Sequence, residues 1–243
     1  MEETLFDAMD EHSERHWWFR ARRRVVTHLL DHHLGPSADA RVLDLGCGVG
    51  TNLDALARYG RVHGADTSAK ALALCRRRFD GPLAEIHLPD RVPFPPASFD
   101  LVVMFDVLEH IEDDRGALAA VYELLAPEGT LCLTVPALRW LWSHHDVAHH
   151  HHRRYHRDEL GAMLNRAGFE PVLLSYMNSL LLPLMGAARL LIKPRNQRLH
   201  GLENGTGALG HLLYATFAFE RHLLTRTRLP AGGSLVALAR RPR

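Results

Sequence analysis

Val42-Leu43-Asp44-Leu45-Gly46-Cys47-Gly48-Val49-Gly50 reads as a short apolar strand running straight into a glycine turn. Glycines at such a turn let backbone N–H groups come against a ligand, because no Cβ intervenes. They fall at alternate positions 46, 48 and 50, not in the G-x-G-x-x-G spacing of dinucleotide sites. Asp44 stands just ahead of them, where a carboxylate repels a pyrophosphate and suits a zwitterionic amino acid carried on a sulfonium. Asp66, at the end of the next apolar segment, is placed to take both ribose hydroxyls. Together the two acids favour a nucleoside without phosphates.

Outward from the turn, short apolar runs alternate with helix-like stretches, the pattern of a parallel α/β sheet. Ala40–Leu45 is the first predicted strand, and Thr51–Arg58 a short helix stopped by Gly60. Arg61–Asp66 is the second strand, and Ser68 caps a helix running to Phe79. Leu83–Leu88 reads as the third. The proline-stiffened loop Pro93–Ser98 delivers the chain into Phe99–Phe105, an apolar strand buried on both faces. Asp113–Leu125 has helical period, and Pro127-Glu128-Gly129 turns it into the strand Thr130–Val135. A helix over Asp158–Ala167 and a strand over Glu170–Tyr176 follow, and Ser234–Ala239 is the last strand. Between these final two lie the apolar stretch Asn178–Ile192, a Gly-, Asn- and Arg-rich stretch Lys193–Leu209, and a helical pattern over His211–Thr225. The expected organisation is a helical cover over residues 1–36, an α/β domain over 37–177 and 233–243, and a helical insertion or lid over 178–232.

Composition narrows the partners. The chain has 243 residues, 47% of them apolar, enough for one sizeable core with an elaboration. A formal net charge of +1 gives no whole-chain field that would call for nucleic acid or an anionic membrane. Cys47, Cys75 and Cys132 are an odd set within apolar segments, which fits reduced thiols. The acidic start Met1-Glu2-Glu3 has no apolar signal core, so the expected location is the cytoplasm. Basic residues are arginine apart from Lys70 and Lys193, a bias of GC-rich bacterial genomes.

The glycine turn, Asp66, the run from Pro93-Phe94 through Ser98-Phe99-Asp100-Leu101-Val102, and Asp106-Val107-Leu108-Glu109-His110-Ile111 come in an order that resembles the class I S-adenosylmethionine-dependent methyltransferases, in particular the bacterial small-molecule group. The resemblance implies a Rossmann-like, doubly wound α/β sheet of seven strands with the last antiparallel. It implies S-adenosylmethionine as cofactor and S-adenosylhomocysteine as product. Asp44, Gly46, Cys47, Gly48, Gly50, Asn52, Asp66, Thr67, Phe105 and Asp106 are the positions it assigns to the cofactor. Cys47 also reads simply as a small buried residue, and Asp106, Glu109 and His110 as a polar cap where a strand becomes a helix. The acidic residue often found near adenine after the third strand is missing at Leu88-Pro89-Asp90. Either Asp90 supplies it after a shift, or backbone and apolar contacts hold adenine.

Methyl transfer from a sulfonium is an in-line displacement, so positioning carries much of the catalysis. In an open α/β sheet the acceptor approaches the carboxyl ends of strands four and five. The segment Trp140–Asp146 followed by His149-His150-His151-His152-Arg153-Arg154-Tyr155 falls there. The preferred reading is an acceptor site in which His144, His145 or His151, with His110 and Tyr155 beside them, takes the proton or orients the nucleophile, while Arg153 or Arg154 pairs with a substrate anion. Trp17, Trp18 and Trp142 are further acceptor candidates, although tryptophans on a short helix also serve as core packing, and the arginines beside Trp17 and Trp18 also read as a solvated face. A solvated loop competes with this reading. A metal site is not expected, because consecutive histidines cannot all face one ion. Asn178–Ile192 is too short and too interrupted to span a membrane and reads as a packed lid ahead of an interfacial helix, implying a partly apolar acceptor such as a peptide or secondary metabolite. The competing functions are a non-catalytic Rossmann-like binding protein, a lipid- or quinone-directed C- or O-methylase at a membrane surface, and, with the wrong glycine spacing, an NAD-dependent oxidoreductase.

Overall fold

The computed structural model describes residues 15–191 and 207–243, apart from the side chains of His145 and of residues 188–191. The parts of the predicted cover and insertion at residues 1–14 and 192–206 lie outside the described residues. Helix α1 (Trp17–His33) precedes β1 (Arg41–Leu45), which ends in the glycine turn. Then come α2 (Leu53–Leu56), β2 (Arg61–Asp66), α3 (Ala69–Cys75), β3 (Leu83–Glu85), β4 (Phe99–Phe105), α4 (Asp114–Leu124) and β5 (Leu125–Pro136). Helices α5 (His144–Ala148) and α6 (Arg157–Arg166) lead to β6 (Glu170–Met177), α7 (Leu182–Leu191), α8 (Ala208–Leu224) and β7 (Ser234–Arg240).

These strands form one seven-stranded sheet in the order β3-β2-β1-β4-β5-β7-β6. Pairings among β1 to β5 are parallel, and β7 runs antiparallel to both β5 and β6. The doubly wound order and the antiparallel last strand are as expected from the sequence. The order reverses at β1, and the glycine turn sits at that switch, where α/β sheets open a crevice beyond their carboxyl ends.

The helices after β1 and β2 are shorter than expected, ending at Leu56 and Cys75, and two strands also depart from expectation. Strand β5 begins at Leu125 rather than Thr130, because Leu125 pairs with Phe99 and the Glu128 N–H donates to the Arg241 carbonyl at 2.9 Å. The Arg241 guanidinium also donates to the carbonyls of Tyr122 and Leu125 at 2.9 and 2.7 Å. Strand β3 stops at Glu85, since His87 and Arg91 bond to each other and turn the chain back on itself.

Each face of the sheet carries its own core. One holds Ala117, Leu118 and Val121 of α4 with Leu160, Met163 and Leu164 of α6. The other holds α1 and α8: Ala21, Val25, Val26, Leu29 and Leu30 meet Leu213, Phe217, Ala218 and Leu224 over Val42, Leu101, Val236 and Leu238 of the strands. The positions 22, 25, 26 and 29 are one helical stripe, and α1 buries all of them. Glu220 of α8 is fully buried and its Oε1 accepts from the N–H groups of Ser179 and Leu180 at 2.7 and 2.8 Å, pinning the start of the segment after β6. Among the described residues no helix is long and apolar enough to cross a membrane.

Because α8 forms part of a core layer, Phe217→Ala, which empties a site of 0% exposure, is expected to destabilise the protein by about 3–5 kcal/mol. Urea unfolding followed by circular dichroism checks it; a loss below about 1 kcal/mol would show that α8 is not part of the cooperative core.

Candidate functional site

The glycine turn is built for close approach. Gly46, Gly48 and Gly50 have φ of +77°, +54° and +88°, the left-handed region that favours glycine. A Cβ on Gly46 would lie 2.3 Å from Val107, and one on Gly50 2.6 Å from the Cys75 sulfur. One on Gly48 would meet nothing within 4 Å, so the backbone there borders open space. Cys47 is buried, its thiol raised by a hydrogen bond to Cys75 and by burial; it packs, as a small turn residue does.

Asp66, at the end of β2, ties the turn to the sheet. Its Oδ2 accepts from Gly48 N–H and its Oδ1 from Ser68 N–H, both at 2.9 Å. Burial raises its pKa, and backbone N–H groups of Ser68, Gly48 and Thr67 oppose that. Each oxygen keeps lone-pair capacity for further donors. Asn52 is buried at the start of α2 and makes no side-chain cap there; Thr67 is exposed.

Asp44 is the unusual member. Its side chain is 1% exposed, and neither oxygen has a hydrogen-bond partner. Burial is the main cause that lifts its pKa to about 7, Arg22 lowers it, and Asp66 adds to the rise. A buried carboxylate without donors is costly unless a proton or a cation meets it.

Phe105 and Asp106 close β4. The Asp106 Oδ1 accepts from the Thr134 hydroxyl at 3.2 Å, and Oδ2 forms an ion pair with Arg22. Arg22 reaches over from α1, with its guanidinium 5.0 Å from the Trp18 ring and 5.5 Å from those of Phe19 and Phe105. The arginine cluster that also reads as a solvated face therefore contributes a buried counter-charge. The signal was available: Arg22 lies on the same stripe as Val25, Val26 and Leu29. Trp17 and Trp18 are half-buried and pack at the edge of the α1–α8 core.

After β5 the histidine segment divides sharply. Asp146 is fully buried. Its oxygens accept from Arg154 Nε and Nη2 at 2.8 and 3.0 Å, from Ser143 N–H at 2.8 Å, and lie 2.9 Å from His151 Nδ1. Burial would raise this carboxyl, but the hydrogen bonds from His151 and Arg154 outweigh it and hold the group well below its usual range. The geometry corrects Arg154 as a partner for a substrate anion, since its Nε and Nη2 are engaged by Asp146 and its Nη1 donates to the Ala137 carbonyl at 3.0 Å. Arg153 pairs with Asp114 at 2.6 Å and donates to the Glu112 carbonyl at 2.8 Å. Tyr155 is 1% exposed and its hydroxyl donates to Asp114 at 3.0 Å, which corrects it as a proton acceptor: burial and Asp114 push its ionisation up, out of reach.

What the structure brings together is His110 with His151, rings 4.8 Å apart and edge to face. Burial, then the neighbouring His151 and His149, lower the His110 pKa to about 4, so it is a neutral imidazole near pH 7. Glu109 lies beneath them, 0% exposed, with both oxygens unpartnered; its pKa is raised well above normal by burial and by Asp106. The sequence offered Glu109 only as a cap. His144 is exposed at the start of α5 and the side chain of His145 lies outside the described residues. Trp142 is 40% and Trp140 57% exposed, and Gly186 of α7 abuts the Trp140 ring.

A family model described as a methyltransferase domain matches residues 15–174, more than half of the chain. An S-adenosylmethionine-dependent methyltransferase of Mycolicibacterium smegmatis is 34% identical over 65% of this chain and 61% of its own length. A ubiquinone biosynthesis O-methyltransferase of Albidiferax ferrireducens is 34% identical over 46% of this chain and 50% of its own. The chain thus spans less than two thirds of these relatives. Among solved structures, Haemonchus contortus phosphoethanolamine N-methyltransferase 2, in complex with S-adenosylmethionine, has a TM-score of 0.59 at 18% identity, covering 90% of this chain and 52% of that one. The [4+2]-cyclase SpnF has a TM-score of 0.60 at 18% identity, over 94% and 85%. At such identity the likeness is one of fold, which does not fix the chemistry.

Asp44 gives a signed test. Its folded pKa, about 7, lies above the unfolded value of about 3.9, so the folded chain binds the extra proton between them. The stabilisation this proton gives is complete below the unfolded value and is lost as pH rises through the folded one. Asp44→Asn should therefore gain stability relative to the parent as pH goes from 4 to 7, with no further gain above pH 8. A Tm difference independent of pH would contradict this.

Proposed function

From the premise that the chain belongs to the methyltransferase-domain family of S-adenosylmethionine-dependent enzymes, we propose that it methylates a nitrogen or oxygen of a partly apolar small molecule or peptide. The observation that carries this is the pairing, at one carboxyl edge of the sheet, of an open glycine turn with the unpartnered carboxylate of Asp44. A zwitterionic amino acid on a nucleoside fits both: its ammonium answers Asp44, and its ribose hydroxyls answer Asp66. Gly46, Gly48 and Gly50 supply the floor, Asn52 and Thr67 the flank, and Phe105 with Asp106 the methionine end. S-Adenosylmethionine supplies an electrophilic methyl group there and is released as S-adenosylhomocysteine. Asp106 is oriented by Arg22 and Thr134, so α1 acts on the site through that ion pair.

The acceptor docks against His110, His151 and Trp142. His151 is oriented by Asp146 through Nδ1, leaving Nε2 as the atom that takes the proton or orients the nucleophile. Arg154 and Ser143 act through Asp146 and position it. Exposed Trp140 and Trp142, with Leu180 and Leu184 at 46% and 48% exposure, support an apolar contribution from the acceptor. The quinone-type acceptor implied by the name of the Albidiferax relative is one chemistry of that kind.

Asp66→Ala is expected to raise the Kd for S-adenosylmethionine about 10- to 100-fold, or roughly 1.4–2.8 kcal/mol, read by isothermal titration, with no binding of NAD to either form. Unchanged affinity would remove Asp66 from the site, and absent binding by the parent protein would favour a non-catalytic role. His151→Ala should lower kcat by about 10²–10⁴ while the cofactor Kd moves less than about twofold. Equal kcat with the true acceptor would sink the assignment of His151.

A further inference from the structure

Glu109, His110 and His151 come to one point from two separate segments. A single helical turn, Leu108–His110, follows β4, and His151 follows α5. The His152 N–H donates to the Glu109 carbonyl at 2.8 Å, tying the two segments together. One carboxylate oxygen and one nitrogen from each ring lie within 4.8 Å of one another. The Glu109 oxygens are completely buried and accept no hydrogen bond from the protein. Consecutive histidines cannot share an ion, but these two are not consecutive.

Two imidazoles and one carboxylate are the donor set of first-row divalent cations, above all Zn²⁺. The surroundings match as well. A metal-bound histidine donates its other ring nitrogen to a carboxylate that fixes the ring, and Asp146 Oδ1 sits 2.9 Å from His151 Nδ1. The opposite nitrogen, Nε2, is then turned toward Glu109, 4.0 Å from its Oε1. Asp146 is in turn held by Ser143 and Arg154.

Resting on the reading that the acceptor docks at this pocket, we propose that Glu109, His110 and His151 bind a divalent transition cation, Zn²⁺ in the first instance, whose open position takes a hydroxyl of the acceptor. Three protein ligands with one position left open are the pattern of catalytic zinc. With bonds of about 2.1 Å, tetrahedral ligands stand about 3.4 Å apart, so side chains now up to 4.8 Å apart must close by up to about 1.4 Å. A hydroxyl bound to the cation breaks its O–H bond near neutral pH, the electron pair staying on the metal-bound oxygen and the proton passing to solvent. His151 Nε2, as a ligand, therefore orients the nucleophile and does not itself take the proton. The acceptor atom is then oxygen.

The test uses the full chain stripped with a chelator. Isothermal titration with Zn²⁺ alone should show one equivalent bound, and Co²⁺ should give the visible absorption of a low-coordinate site. Glu109→Gln and His110→Asn should each weaken binding at least tenfold, Asp146→Asn by about 10–100-fold, and His222→Ala, at the far end of α8, should not change it. His110→Asn, in a half-buried position, keeps the test open if Glu109→Gln fails to fold. Absence of stoichiometric binding by the parent, or equal affinity in Glu109→Gln and His110→Asn, overturns the proposal. Methyl transfer by metal-free protein also overturns it and leaves the proposed function standing; metal binding without any S-adenosylmethionine binding does the reverse.

Discussion

Burying several carboxylates beside two guanidiniums, Arg22 and Arg154, is the constraint on which this site depends. Asp44, Asp66 and Glu109 are all buried at the carboxyl edge of β1, β2 and β4, and Arg22 reaches in from α1 to pair with Asp106. A charge taken out of water costs several kcal/mol unless it is matched. The molecule meets this in three ways. Asp66 takes two backbone N–H groups, Asp106 takes Arg22 and Thr134, and Asp44 and Glu109 shift toward the protonated form. The last pair is where the protein leaves electrostatic demand unsatisfied. Perturbed acids of this kind cluster at sites of function.

That constraint also explains the course of the chain before β1. Without α1 the Arg22 charge would be absent, Asp106 would lose its ion partner, and Asp44 and Glu109 would lose a charge that lowers their pKa. The apolar stripe of Val25, Val26 and Leu29 holds α1 against α8 and the sheet, and Arg22 rides on that stripe. Stability and site electrostatics are thus coupled through one helix: the packing that buries Leu29 also sets where the guanidinium lies.

The sheet was legible because its signals are local. The glycine turn after Leu45, the apolar run Phe99–Phe105 and the periodicity of α4 each declare themselves within a few residues, and their order gives the doubly wound topology with its antiparallel last strand. Boundaries failed where a distant partner decided them: Arg241 extends β5 back to Leu125, and the His87–Arg91 pair ends β3. The site was half legible for the same reason. Gly48 and Asp66 are marked by spacing, but the use of Arg154 and Tyr155 depends on Asp146 and Asp114, contacts that no local pattern reports. Both residues belong to a segment whose composition suggested ligand binding, and both hold that segment in place.

The histidine run is the clearest case of composition misleading and geometry correcting. His149 to His152 are adjacent in sequence, yet the backbone turns between them, with His150 at φ +55°, and sends only some of these rings toward β4. His151 goes inward to Asp146 and His110, whereas His152 contributes its backbone N–H to Glu109. A run that cannot act as a unit is resolved into one oriented ring and one strut. The partner that gives the oriented ring its chemical surroundings, the Glu109-His110 pair, lies some forty residues earlier in the chain. The surroundings of His151 are therefore a property of the junction between the loops after β4 and β5, which lie together because both strands end on the same side of the switch in strand order.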